Sequence, residues 1–222
     1  MGIVENLHTL QTQIPSHVTL VAVSKTKPDE MIMEAYKAGH RDFGENKVQD
    51  LAEKAERLPG DIRWHMIGHL QSNKVKYLAS FVHLIHGVDS LKLLKVIHRE
   101  ATKHDRVIDC LLQIHIATEQ TKFGFSREEL LDVLRSESFR EMGNVRIRGL
   151  MGMATYTEHS DQIREEFRHL KRIFDELRVS VFSSSSKFDQ LSFGMSGDYQ
   201  LAVEEGSNMV RIGSLIFGAR NY

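Results

Sequence analysis

Eight short apolar runs, separated by stretches of helical period, make a (β/α)8 barrel the expected fold of this 222-residue chain. Two further observations point the same way. The run 107–114 is apolar on both faces, as a parallel strand covered by helices must be. The length also sits at the short end of the range such barrels occupy. A doubly wound open sheet shares the alternation and is the competing architecture.

The first element is an additional N-terminal helix, marked by Ile3, Leu7, Leu10 and Ile14 along one face. Residues 18–25 follow as a β-branched strand on which Val21, Val23 and Lys25 share a side. Pro28 then opens a helix, where its missing N–H removes no hydrogen bond. Strands are expected at 42–45, 62–67 and 84–88, with a helix starting at Gln71-Ser-Asn-Lys74. The fifth strand covers 107–117. Ser126 and Glu129 stand in capping-box spacing before Leu130 and Leu131, which sets a helix over 126–137. The sixth strand spans 145–153. Residues 159–178 have the clearest helical period, with Ile163, Phe167, Leu170, Phe174 and Leu177 on one stripe. Ser183-Ser-Ser-Ser186, flanked by Val181, Phe182 and Phe188, reads as a mobile loop before the strand 190–194. A helix from Tyr199 to Glu205 leads to the last strand, 208–213. No stretch resembles a linker, so the chain reads as one barrel domain over 1–222.

Composition excludes several classes of partner. The net charge is −1 and the 29 basic residues are spread through helical segments, so no field gathers nucleic acid or an anionic membrane. No window approaches the roughly 20 apolar residues of a membrane-spanning helix. The single cysteine, Cys110, lies within the fifth strand and is expected to be a buried structural thiol. Glu5 and His8 in the first turns, with no long apolar block, argue against a signal peptide. A reducing, cytoplasmic setting is the expectation.

Lys25 asks for a chemical account. An apolar strand that ends in an amine can desolvate it, which eases deprotonation and makes a candidate Schiff-base nucleophile. Taken alone, Lys25 also fits a strand-end lysine that reaches to water. The second cluster is C-terminal. Leu191-Ser-Phe-Gly-Met-Ser196-Gly197-Asp198 precedes a helix, and Val210-Arg211-Ile-Gly213-Ser214 ends the last strand. Hydroxyls and backbone N–H groups at helix starts hold anions, and the loops after strands seven and eight of such barrels often hold phosphate. Gly197 and Gly213 would let the backbone approach phosphate oxygens. Closing the barrel sets strands one and eight about 4.8 Å apart, so Lys25 meets Arg211–Ser214 at one rim. An amine, an anion cradle and a guanidinium together suit a phosphorylated aldehyde, and pyridoxal 5′-phosphate is the expected one. Lys25 would take the aldehyde, Ser196, Gly197, Gly213 and Ser214 the phosphate, and Arg211 the pyridine nitrogen.

An ordered set of motifs then carries a resemblance along almost the whole chain. They are Ala22-Val-Ser-Lys-Thr-Lys-Pro28, Phe43-Gly-Glu-Asn46, Trp64-His-Met-Ile-Gly-His-Leu-Gln-Ser-Asn-Lys74 and Lys122-Phe-Gly-Phe125. Arg148-Gly-Leu-Met151, Leu191-Ser-Phe-Gly-Met-Ser196 and Val210-Arg-Ile-Gly-Ser-Leu-Ile-Phe-Gly218 complete it. In this order they resemble the YggS/PROSC family of pyridoxal-phosphate-binding homeostasis proteins, similar in fold to the barrel domain of alanine racemase. The resemblance implies Lys25 as the Schiff-base lysine, and Ser196, Gly197, Arg211, Gly213 and Ser214 at cofactor-binding positions. It places Asn46 at a pocket position. It further implies a carrier or buffer of pyridoxal phosphate without turnover of its own, with cofactor-dependent apoenzymes as recipients. Three positions depart from the family pattern: Lys47 stands where an aromatic is common, Phe193 where methionine is frequent, and Ser214 where threonine is frequent.

Two other classes stay open at this level, an amino-acid racemase and an interaction scaffold. Racemisation needs an acid and a base on opposite faces of the substrate carbon. Racemases resembling this barrel draw a tyrosine from an additional β-domain of a partner subunit, and the chain ends soon after Gly213, so a monomer without that domain is expected. An arginine donates to the pyridine nitrogen without protonating it, which leaves a weaker electron sink. Tyr156 and Tyr199 are the tyrosines that could approach the rim. His65 and His69 do not share a helical face and lack the glutamate of a metalloprotease motif, so no metal is expected. His65 is expected as a hydrogen-bonded barrel histidine or a pocket residue. Lys122 is expected as a loop lysine or a weaker cofactor contact.

Overall fold

The computed structural model describes residues 2–118 and 123–219; Lys122 lies outside the described residues. The strands β1 (Thr19–Val23), β2 (Asp42–Glu45), β3 (Arg63–Met66), β4 (Leu84–Val88), β5 (Ile108–Gln113), β6 (Val145–Met151), β7 (Gln190–Met195) and β8 (Met209–Ile212) pair in chain order. Every pairing is parallel, and β8 returns to β1. The sheet is a closed barrel, which disposes of the open-sheet alternative. At the seam Thr19, Leu20, Val21 and Ala22 face Met209, Val210, Arg211 and Ile212.

Nine helices clothe the described barrel: α1 (Ile3–Gln13), α2 (Asp29–Lys37), α3 (Val48–Arg57), α4 (Leu91–Lys103), α5 (Arg127–Arg135), α6 (Glu137–Arg140), α7 (Ser160–Val179), α8 (Tyr199–Glu204) and α9 (Ser214–Phe217). A 3-10 turn over Ser72–Tyr77 occupies the β3–β4 crossover. Strand alternation sorts the core into two layers. Leu20, Ala22 and Phe43 point outward and pack with helix residues such as Leu51, Leu94 and Phe167. Val21, Leu84, Leu111, Met151 and Met209 form a separate inner plug. Several further interior positions are polar. His65, His86, Ser192 and Arg211 are all buried among the strands, where branched apolar residues usually dominate.

Several boundaries differ from expectation for local reasons. The capping box at Ser126 and Glu129 is present, but Ser136 caps a second helix, α6, and so divides the segment 126–137. Beyond Gln113 the fifth strand survives only as a bridge from Ile114 to Phe125. The Ser183–Ser186 segment is a defined turn: Phe182 and Phe188 stack with ring centroids 4.1 Å apart and close its two ends on each other. Cys110 is fully buried as expected, and burial pushes its thiol pKa up, away from reactivity.

The first strand also ends early, at Val23. Ser24–Lys27 is a turn closed by the Lys27 N–H donating to the Ser24 carbonyl at 3.1 Å, with Thr26 at φ 65°. A β-branched residue in this left-handed region costs roughly 1–2 kcal/mol. Thr26→Asn, which tolerates that region, is expected to raise stability by about 1 kcal/mol in urea unfolding. An unchanged midpoint would show that the turn stores no such strain.

Candidate functional site

A cavity of about 530 Å³ opens at the carboxyl rim, and Lys25, Asn46, Ser196, Gly197, Arg211, Gly213 and Ser214 all line it. The seven residues come from four separate stretches of sequence, which barrel closure brings together.

Lys25 does not sit on β1 but in the turn beyond it, and that turn is clamped from behind. Lys54, on α3, donates to the Ser24 carbonyl at 2.9 Å and to Glu45 Oε1 at 2.7 Å. The Ser24 hydroxyl donates to the same Glu45 oxygen at 2.6 Å. The Lys54 and Glu45 side chains are 8% and 0% exposed, so this is a buried ion pair bracing the residue before Lys25. Burial pushes the Glu45 pKa up, against the pull of Lys54 and Ser24. The neighbouring amine is spoken for: Lys27 Nζ donates to the carbonyls of Phe217, Gly218 and Ala219 at 3.1, 3.2 and 3.1 Å. It thereby ties the first turn to the end of α9.

The anion cradle is built from the starts of α8 and α9. Ser196 Oγ accepts from the Gly213 N–H at 3.2 Å, joining the two loops. A Cβ at Gly213 would stand 3.1 Å from the Val23 carbonyl oxygen, a tight contact that glycine avoids where β8 comes close to β1. A Cβ at Gly197 would meet nothing within 4 Å, and that open space lies beside the Ser196 hydroxyl and the backbone N–H groups of the loop. Below them is Arg211, 4% exposed. Its Nη1 donates to the Ser192 carbonyl and hydroxyl at 3.0 and 2.6 Å, and its Nη2 to the Gly152 carbonyl at 3.1 Å. Burial pushes its pKa down to about 10, so it stays charged at neutral pH.

The remaining candidates divide. His65 is a buried barrel histidine bonded to His86 and Asp42 and does not line the cavity. His69 does line it, paired with Asp89 at 3.2 Å and stacked on Phe123. Tyr156 stands at the rim, whereas Tyr199 is buried and donates to Gln13 Oε1 at 2.8 Å, away from the cavity. Lys27, Gln113, Met153 and Met195 are lining residues that sequence reasoning missed. Gln113 had a signal, a polar residue at the carboxyl end of an apolar strand. Met195 ends β7, and Met153 follows β6; an apolar residue at either place carries no signal that sets it apart from core.

The alanine racemase N-terminal domain family matches residues 2–221. A pyridoxal phosphate homeostasis protein of Aquifex aeolicus is 41% identical over 204 residues, covering 91% of this chain and 87% of that protein. One from Vibrio alginolyticus is 38% identical over 214 residues, covering 94% and 89%. The chain belongs to the pyridoxal phosphate homeostasis protein family. PipY of Synechococcus elongatus, solved with pyridoxal phosphate bound, superposes on this homeostasis-family chain with a TM-score of 0.88 at 35% identity, covering 97% of this chain and 100% of PipY. An alanine racemase of Bartonella henselae, with covalently bound pyridoxal phosphate, gives a TM-score of 0.76 at 18% identity. It is covered over 58% of its length and shows a shared barrel.

Proposed function

We propose that the chain holds pyridoxal 5′-phosphate in the rim cavity through a Schiff base on Lys25 and acts as a carrier or buffer of that cofactor without turnover. The observation that supports this most is one cavity lined by an amine, an anion cradle with room at Gly197, and a charged guanidinium. These residues fit the group. When bound it supplies an electrophilic aldehyde carbon that a neutral amine attacks reversibly. Lys25 supplies the amine from a braced turn. Ser196, Ser214 and the N–H groups around Gly197 and Gly213 anchor the phosphate. Arg211 donates toward the ring nitrogen and leaves it unprotonated. Asn46 lines the wall beside Lys25.

Two features favour a carrier over a racemase. Tyr156, the one phenol lining the cavity among the described residues, is 98% exposed, a poor setting for a base that must hold one pose. The same openness lets cofactor-dependent apoenzymes reach the cargo. The names of the relatives agree with this reading. All seven predicted residues line one cavity of a single chain, which supports a monomer as the carrying unit.

Thermal unfolding tests the reading. Pyridoxal phosphate at about a hundred times its dissociation constant is expected to stabilise the fold by roughly 2.7 kcal/mol, and an unchanged Tm would refute it. Gly197→Asp is expected to leave the ligand-free Tm unchanged, because its Cβ meets nothing. Its carboxylate should weaken cofactor binding by about tenfold or more through like-charge repulsion.

A further inference from the structure

The barrel interior holds a polar column that cofactor anchoring alone leaves unexplained. It runs from Arg211 beneath the cavity to Asp42, the first residue of β2 and so at the amino end of the barrel. Its members come from β8, β7, β4, β3 and β2, and each is buried. Their protons follow from the carboxylate end. A carboxylate only accepts, so His65 Nε2 donates to Asp42 Oδ1 at 3.1 Å. With one proton on each imidazole, His65 Nδ1 then accepts from His86 Nε2 at 2.9 Å, and His86 Nδ1 accepts from the Ser192 hydroxyl at 3.3 Å. Ser192 Oγ in turn accepts from Arg211 Nη1 at 2.6 Å.

The column has a fixed end. Arg63 grips Asp42 with two bonds, Nε to Oδ1 at 2.7 Å and Nη2 to Oδ2 at 2.5 Å. Burial would raise the Asp42 pKa, but the bonds from Arg63 and His65 outweigh it and hold the carboxyl well below the usual range. His86 is fully buried, and desolvation keeps its imidazole neutral at ordinary pH. Asp42, His65 and His83 do bring possible ligand atoms within 4.8 Å of one another. The Arg63 fork already occupies both Asp42 oxygens and adds a positive charge there, so the arrangement favours the relay over a cation site.

We propose that Asp42, His65, His86 and Ser192 form a positioning relay for Arg211. The buried carboxylate sets the tautomers of the two imidazoles, and through Ser192 it orients the guanidinium. The three bonds Arg211 makes engage three of its five N–H groups and aim the fork, leaving two for a ligand. They also offset the burial of the Arg211 cation. Only the last link, Arg211 toward the ring nitrogen, rests on the proposed pyridoxal phosphate site.

Two measurements test the relay separately from that site. In ligand-free protein with ¹⁵N-labelled histidine, His65 and His86 are each expected to show the proton on Nε2. Asp42→Asn is expected to move the His86 resonances, although Asp42 does not touch His86. A proton on Nδ1 of His86, or resonances indifferent to Asp42→Asn, would overturn the relay. The second measurement uses Ser192→Ala, a small change that should fold even if Asp42→Asn does not. With pyridoxal phosphate it is expected to shift the visible absorbance maximum and bind about tenfold more weakly, and Ser192→Thr should restore both. An unchanged maximum and affinity in Ser192→Ala would overturn the proposal. If wild-type protein shows no cofactor absorbance, the cofactor reading fails, while the imidazole spectra still decide the relay.

Discussion

Lys25→Ala is expected to abolish borohydride trapping of pyridoxal phosphate while retaining weaker, phosphate-anchored binding. Among the described residues two amines line the cavity, Lys25 and Lys27. Lys27 Nζ is engaged with the carbonyls of Phe217, Gly218 and Ala219 and is tied to the end of α9. Removing Lys25 therefore removes the covalent step and leaves the cradle of Ser196, Gly197, Gly213 and Ser214 intact. The imine absorbance band should vanish, and the cofactor-induced rise in Tm should shrink without disappearing. Retention of a reducible adduct at wild-type level in Lys25→Ala would show that another amine does the chemistry.

Lys54→Met should produce the largest loss of stability, about 3–5 kcal/mol, because it strands the buried Glu45 carboxylate without its partner. That is a large part of the roughly 5–15 kcal/mol that holds a typical domain folded. The loss has a pH signature. Burial raises the Glu45 pKa above its ordinary value of 4.5, and removing Lys54 raises it further. A raised carboxyl pKa favours the folded state below about pH 4.5 and costs stability as pH rises through the folded value. Urea unfolding should therefore show a small deficit in the variant near pH 4 and a large one near pH 8. Replacing both partners, as Lys54→Met with Glu45→Leu, should recover most of the stability, since an apolar pair removes the uncompensated charge. It should still slow trapping at Lys25, because the Ser24 carbonyl has lost its clamp. An equal deficit at both pH values in Lys54→Met would mean that Glu45 is not the stranded group.

The barrel was legible because its signals are periodic. Strands buried on both faces and the amphipathic stripe of α7 follow from spacing alone, and closure then placed Lys25 against Arg211 and Ser214. What escaped was set by pairings between distant segments. Lys54 carries no local signal of its role; only the packing of α3 onto the turn after β1 sets its amine on the Ser24 carbonyl. The polar column draws its members from different strands, and nothing local distinguishes His86 from a surface histidine. Register decides it, with Gly44 opposite His65 and His65 opposite Leu84. The break after Arg135 was signalled by Ser136, whose hydroxyl accepts from the Phe139 N–H as a helix cap, but an uninterrupted apolar period hid it.

Mass mapping of the borohydride-reduced protein is the most direct measurement of the central claim. After reduction with pyridoxal phosphate and proteolysis, the adduct should fall on the peptide containing Lys25 and on no other. A pyridoxyl group found on a different lysine, or none at all on protein saturated with cofactor, would contradict the account.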